Sequence, residues 1–119
     1  MKLHIFAFSM LLAATAAFAQ EKTQAPQGSA DNGQKVYGKL MCYTCHGTVG
    51  QGADRGTGPK LAPTPVSFAS FAAQLRTPRQ DMPPYRKEFV SDQEVADIYA
   101  YLLSIKPSPA AKDLPLPSF

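Results

Sequence analysis

Cys42-Tyr43-Thr44-Cys45-His46 is the stretch on which the reading of this chain turns. It has the C-x-x-C-H form of a c-type haem attachment site. Two thiols at this spacing lie on nearly one face of a helical turn, so each can form a thioether with one of the two vinyl groups of a single haem. The imidazole of the next residue, His46, then lies under the iron and supplies an axial nitrogen. Other uses of a C-x-x-C pair fit less well. A thioredoxin-like redox pair needs a βαβ pattern around it, whereas the flanks here carry helical periodicity and long loops. A structural zinc ion takes four Cys or His ligands. The chain has only these two cysteines and, besides His46, only His4. A plain disulfide across so short a span would constrain little chain.

The N-terminal residues read as a secretory signal. Lys2 is followed by an apolar stretch from Leu3 to Phe18, and Ala17-Phe18-Ala19 is a small-x-small cleavage site. Cleavage is expected after Ala19, with residues 1–19 as signal peptide. The apolar stretch is shorter than the ~20 residues a membrane-spanning helix needs, which favours a cleaved signal over an anchor. A periplasmic location agrees with the motif, because bacteria attach haem covalently outside the cytoplasm.

What remains is the size of one small domain. Such a domain buries a modest core and is marginally stable alone. A covalent haem would give its side chains a large apolar plate to pack on. The formal charge of +3 falls to +2 with loss of Lys2, and two haem propionates would cancel most of that. Nucleic acid is therefore not an expected partner. The distribution of charge says more: Arg76, Arg79, Arg86 and Lys87 bracket Asp81-Met82-Pro83-Pro84. They form either an ordinary solvated surface or a basic rim that steers docking to an acidic redox partner.

Residues 20–30 are polar and read as a disordered leader. A first helix is expected from about Gly33 to Met41, capped by Asp31 or Asn32, with Val36, Tyr37 and Leu40 on one face. From Gly47 to Pro65 the chain is rich in Gly and Pro and reads as a long irregular loop able to wrap one side of the haem. A middle helix is expected from about Ser67 to Leu75. Asp81 to Arg86 is a turn stiffened by Pro83 and Pro84. The last helix opens with the capping box Ser91-Asp92-Gln93-Glu94, continues through Val95, Ile98, Tyr99, Leu102 and Leu103, and is stopped by Pro107. Residues 107–119 form a Pro-rich tail, expected to be extended. The whole is all-α, with a domain over residues 31–106.

Electron transfer is fastest when iron keeps the same ligands in both oxidation states. After cleavage the chain has no second histidine. Met41 adjoins Cys42 and cannot reach the opposite face of the haem. Met82 follows His46 by 36 residues and lies in the proline-stiffened turn, placed to present a thioether. A gap-filling core residue is the plainer use of a methionine. As a ligand opposite His46 it would raise the reduction potential, because soft sulfur favours Fe(II).

Gly33-x-x-Val36-Tyr37, Cys42-Tyr43-Thr44-Cys45-His46-Gly47, Gly58-Pro59-Lys60-Leu61, Leu75-Arg76, Met82-Pro83-Pro84-Tyr85 and Val95-Ala96-Asp97-Ile98-Tyr99-Ala100-Tyr101-Leu102 together resemble the small bacterial class I (mono-haem) cytochromes c, from Asp31 to Ile105. The resemblance implies three to four helices around one covalently bound haem c, with the first and last helices crossing. Gly33 and Tyr37 would match that crossing, against Tyr99 and Leu102. Pro59 would match the proline whose carbonyl accepts the proton on the far nitrogen of His46. Arg76 would meet a haem propionate. One departure stands out: Tyr37 precedes Cys42 by five residues, where many relatives have four, so a local bulge or bend is expected.

The expected function is that of a periplasmic electron carrier, not an enzyme, working free or as the haem subunit of an exported dehydrogenase. Its partners would be a periplasmic dehydrogenase or other redox proteins. The tail, with Leu114, Leu116 and Phe119, is either a docking segment or a loose terminus. The alternative is a haem enzyme or sensor acting on a small molecule through a labile sixth ligand, which needs an open iron site and nearby acid–base groups.

Overall fold

The computed structural model describes residues 25–52, 58–64, 66–109 and 113. The expected signal peptide, the first part of the leader, Gly56 and Pro65 of the loop and most of the tail lie outside the described residues.

Four helices follow one another: α1 Ala30–Lys39, α2 Tyr43–His46, α3 Phe68–Arg76 and α4 Asp92–Ser104, with no strand among the described residues. The three longer helices each begin on a serine. The Ser29 hydroxyl accepts from the Asn32 amide, the Ser67 hydroxyl from the Ser70 amide and the Ser91 hydroxyl from the Glu94 amide. These bonds satisfy donors that the first turn of a helix leaves open. At α4 the Glu94 carboxylate also accepts the Ser91 amide at 2.8 Å, so the expected capping box is complete. That bond, then Ser91's hydroxyl and nearby Lys39, hold the Glu94 carboxyl below the usual range.

The first helix begins and ends earlier than its periodicity suggests. Ser29 is the cap, not Asp31 or Asn32. Asn32 instead donates through Nδ2 to Oδ2 of Asp97 at 2.7 Å. Residues of the expected leader belong to the fold as well. The Ser29 amide donates to Asp97 Oδ1 at 2.8 Å, Gln93 Nε2 donates to the Gln27 carbonyl at 2.9 Å, and Gly28 lies so close to the Ala96 carbonyl that a Cβ would overlap it.

α1 ends at Lys39, and Met41 adopts φ 58°, a left-handed conformation rare for a side chain of its size. The Met41 amide donates to the Gly38 carbonyl and the Cys42 amide to the Tyr37 carbonyl, at 3.0 and 3.1 Å. This is a Schellman ending. It absorbs the extra residue between Tyr37 and Cys42, so Tyr37 stays buried.

α1 crosses α4 where Gly33 lies against the Asp97 carbonyl, and a Cβ there would overlap it. Beside the crossing the Tyr37 and Tyr101 rings meet at 5.6 Å. Tyr101 thus takes the place expected for Tyr99, which faces the other way and pairs with Phe68 and Phe71 of α3 at 5.5 and 5.4 Å. Two residues along a helix turn a side chain by roughly 200°, so neighbouring tyrosines serve opposite neighbours. Leu102 is fully buried, and with Val36, Val95, Ile98, Phe71 and Leu75 it forms the core.

Candidate haem site

The short α2 carries His46 at its end and Cys42 at its N-cap. Gly47 stops it with φ 80°, and the loop doubles back: the Gly52 amide donates to the His46 carbonyl at 2.8 Å. The amides of Leu61 and Ala62 both reach the Gly50 carbonyl, at 2.7 and 2.9 Å. These bonds bring Pro59 beside the histidine. The Tyr37 hydroxyl donates to the Gly47 carbonyl at 2.7 Å and so ties the loop to α1. Burial, first of all, pushes the Tyr37 hydroxyl's pKa up, so it remains a donor.

His46 is buried, and its Nδ1 lies 2.8 Å from the Pro59 carbonyl oxygen. A carbonyl only accepts, so Nδ1 carries a proton, and Nε2 is the nitrogen whose lone pair the neutral ring offers. That is the state in which imidazole binds a metal. Gly58 permits the approach: a Cβ there would overlap the Cys45 carbonyl and come within 2.8 Å of Nδ1.

A cavity of about 690 Å³ opens beside the histidine. This is within the roughly 300–1,000 Å³ of cofactor and ligand sites. Cys42, Cys45, His46, Pro59 and Met82 all line it, and Leu40, Phe71, Leu75 and Ile98 supply apolar walls. Both cysteines are free thiols. Burial pushes the Cys42 thiol up, and a hydrogen bond with Tyr85 works in the opposite sense. Tyr85 is pushed up to about 12, by burial first and by Cys42 second. The direction at Cys42 is opposite to the lowered thiol pKa typical of disulfide oxidoreductases. Among the described residues no group of three or more His, Cys, Asp or Glu converges as a zinc site would require. An apolar cavity, two thiols on one side, a metal-ready imidazole and a glycine with no room for a Cβ suit a covalent haem.

Comparison with known protein families agrees. Residues 28–102 match the family model described as Cytochrome C oxidase, cbb3-type, subunit III. The chain belongs to this family of cytochrome c domains. Haem c binding and electron transfer through haem follow from membership of that family. None of the curated proteins compared with the chain matches it. No helix among the described residues is long and apolar enough to cross a membrane.

Within this cytochrome c domain, Arg76 stands apart from the other expected site residues. It does not line the cavity. Its Nη1 donates to the carbonyls of Tyr85 and Val90, both at 2.7 Å, and its Nη2 to Asp92 at 2.7 Å. Arg79, expected as part of a basic rim around Met82, does line the cavity, beside Gln80 and Asp81. Gln74, whose Nε2 lies 3.8 Å from Met82 Sδ, escaped sequence reasoning. Periodicity gives Gln74 a helix position but carries no signal of what faces it.

Proposed function

We propose that this chain is an exported mono-haem c-type cytochrome, passing single electrons between periplasmic redox partners, either free or as the haem subunit of a dehydrogenase. The observation that carries the reading is the meeting of His46 and Met82 in one cavity, with the imidazole already held by Pro59. Cys42 and Cys45 would hold the cofactor as thioethers, and His46 Nε2 and Met82 Sδ would be the axial ligands. Haem c, when bound, supplies the one-electron chemistry of Fe(III) and Fe(II).

The chain's own residues do the rest. The Pro59 carbonyl fixes the imidazole plane and makes the nitrogen a stronger donor. The walls around Phe71, Leu75 and Ile98 exclude water, which disfavours the more highly charged Fe(III) state. Pro83 and Pro84 limit the swing of Met82. Cys45 is exposed, so that edge of the cavity is open to a partner. Lys60 and Arg79 line the cavity and favour an acidic partner surface. Arg76 and Lys87 contribute less to such a rim, because both pair with Asp92. Cleavage after Ala19 and delivery to the periplasm complete the proposal.

The experiment is ligand substitution. The ferric protein should show the weak near-red band of thioether ligation, and the ferrous protein should resist carbon monoxide. Met82→Ala should abolish the band, open the iron to carbon monoxide and lower the potential. A native protein that binds carbon monoxide at once would contradict the carrier reading.

A further inference from the structure

Arg76 lies at the end of α3 with its side chain 18% exposed. Its guanidinium joins three stretches of chain. Through Nη1 it holds the Tyr85 carbonyl, at the end of the loop that carries Met82, and the Val90 carbonyl, just before the α4 cap. Through Nη2 it holds Asp92 in the first turn of α4. The Tyr85 amide is held as well, donating to the Leu75 carbonyl at 2.9 Å. Both polar groups of one backbone unit are thus tied to the last turn of α3.

Only Pro83 and Pro84 separate Tyr85 from Met82. Each proline ring fixes its own φ near −65°, so the spacer has few torsions left to vary. Anchoring Tyr85 therefore limits where Met82 can go. Charge-assisted bonds from a planar fork to carbonyl oxygens are the stronger kind. The exposed contact with Asp92 adds little by comparison.

We infer that Arg76 is a positioning residue for the sixth ligand: it latches the Met82 loop to α3 and keeps the thioether over the cofactor. The inference rests on the proposed ligation by Met82. It assigns Arg76 a different task from propionate binding.

The test uses the holoprotein, far below its melting temperature, with far-UV dichroism matched to the parent. Arg76→Gln removes the fork. The ferric near-red band should weaken, ferrous carbon monoxide binding should quicken about tenfold, and the Tyr85 amide should exchange faster by a similar factor, as expected for loss of charge-assisted bonds. Arg76→Lys should fall between, since an ammonium cannot reproduce the fork. Pro84→Ala loosens the spacer and leaves Arg76 in place, and it should move the band and the carbon monoxide rate in the same direction. If Arg76→Gln leaves band and rate unchanged while Met82→Ala opens the site, the latch is wrong and the ligand assignment stands. If Arg76→Gln does not fold, an unchanged carbon monoxide rate in Pro84→Ala overturns the latch. If Met82→Ala itself changes nothing, the ligand assignment falls and takes the latch with it.

Discussion

The Nδ1 of His46 and the carbonyl oxygen of Pro59 are 2.8 Å apart, and Gly58 is the residue that lets them meet. A methyl group at Gly58 would overlap the Cys45 carbonyl and press on His46 Nδ1. Neither neighbour is the end of a flexible side chain. Gly58→Ala should therefore cost about 1–3 kcal/mol, the usual range for overpacking, and reduce the haem content of the exported protein. Denaturant unfolding and a haem assay per polypeptide check both.

The crossing of α1 and α4 makes a second demand for a missing side chain. Gly33 lies against the Asp97 carbonyl with no room for a Cβ. Gly33→Ala should push the helices apart and destabilise the fold by about 2 kcal/mol or more. The denaturant midpoint should fall without any change in the ligand bands of the protein that remains folded.

Asp97 ties the start of α1 to α4. Burial alone would raise its pKa, but hydrogen bonds from the Ser29 amide, Asn32 and Gln93 outweigh it, and the carboxyl lies below its ordinary 3.8. A lowered folded-state pKa stabilises the fold above the ordinary value. That stabilisation disappears as pH falls through the lower folded-state pKa. Asp97→Asn should cost about 2 kcal/mol at neutral pH, in line with bonds to a charged group. The difference in melting temperature between parent and variant should close as the pH drops below 3.8.

Met41 occupies a left-handed position that glycine adopts freely. It is 57% exposed, so little packing is lost on removing its side chain. Met41→Gly relieves the left-handed penalty of roughly 1–2 kcal/mol and gives back about 0.5–1 kcal/mol in chain entropy. A net gain of up to about 1.5 kcal/mol is expected, read as a higher denaturant midpoint.

These residues also show what a sequence can and cannot disclose. The Ser91–Glu94 box is local, three residues across, and was legible. That Ser29 is the cap, where Asp31 or Asn32 was expected, was not, because all three residue types cap well. A residue far along the chain, Asp97, settles the matter by taking the Asn32 amide group. Periodicity gives Tyr99 to the apolar side of α4, and the family likeness sets it against Tyr37; Tyr101 takes that place instead, because which tyrosine faces Tyr37 depends on how the helices cross. The contact of Pro59 with His46 is invisible to spacing and enters only through the likeness of the Gly58-Pro59 pair to a family. Arg76 was singled out, yet its three acceptors come together only when the loop returns from Met82 to Tyr85.

The most direct measurement is the intact mass and colour of the exported, purified protein under denaturing conditions. One haem should remain on the unfolded chain, adding its mass to residues 20–119, with neither Cys42 nor Cys45 open to thiol reagents. A colourless chain of unmodified mass, with both thiols reactive or merely joined to each other, would contradict the account.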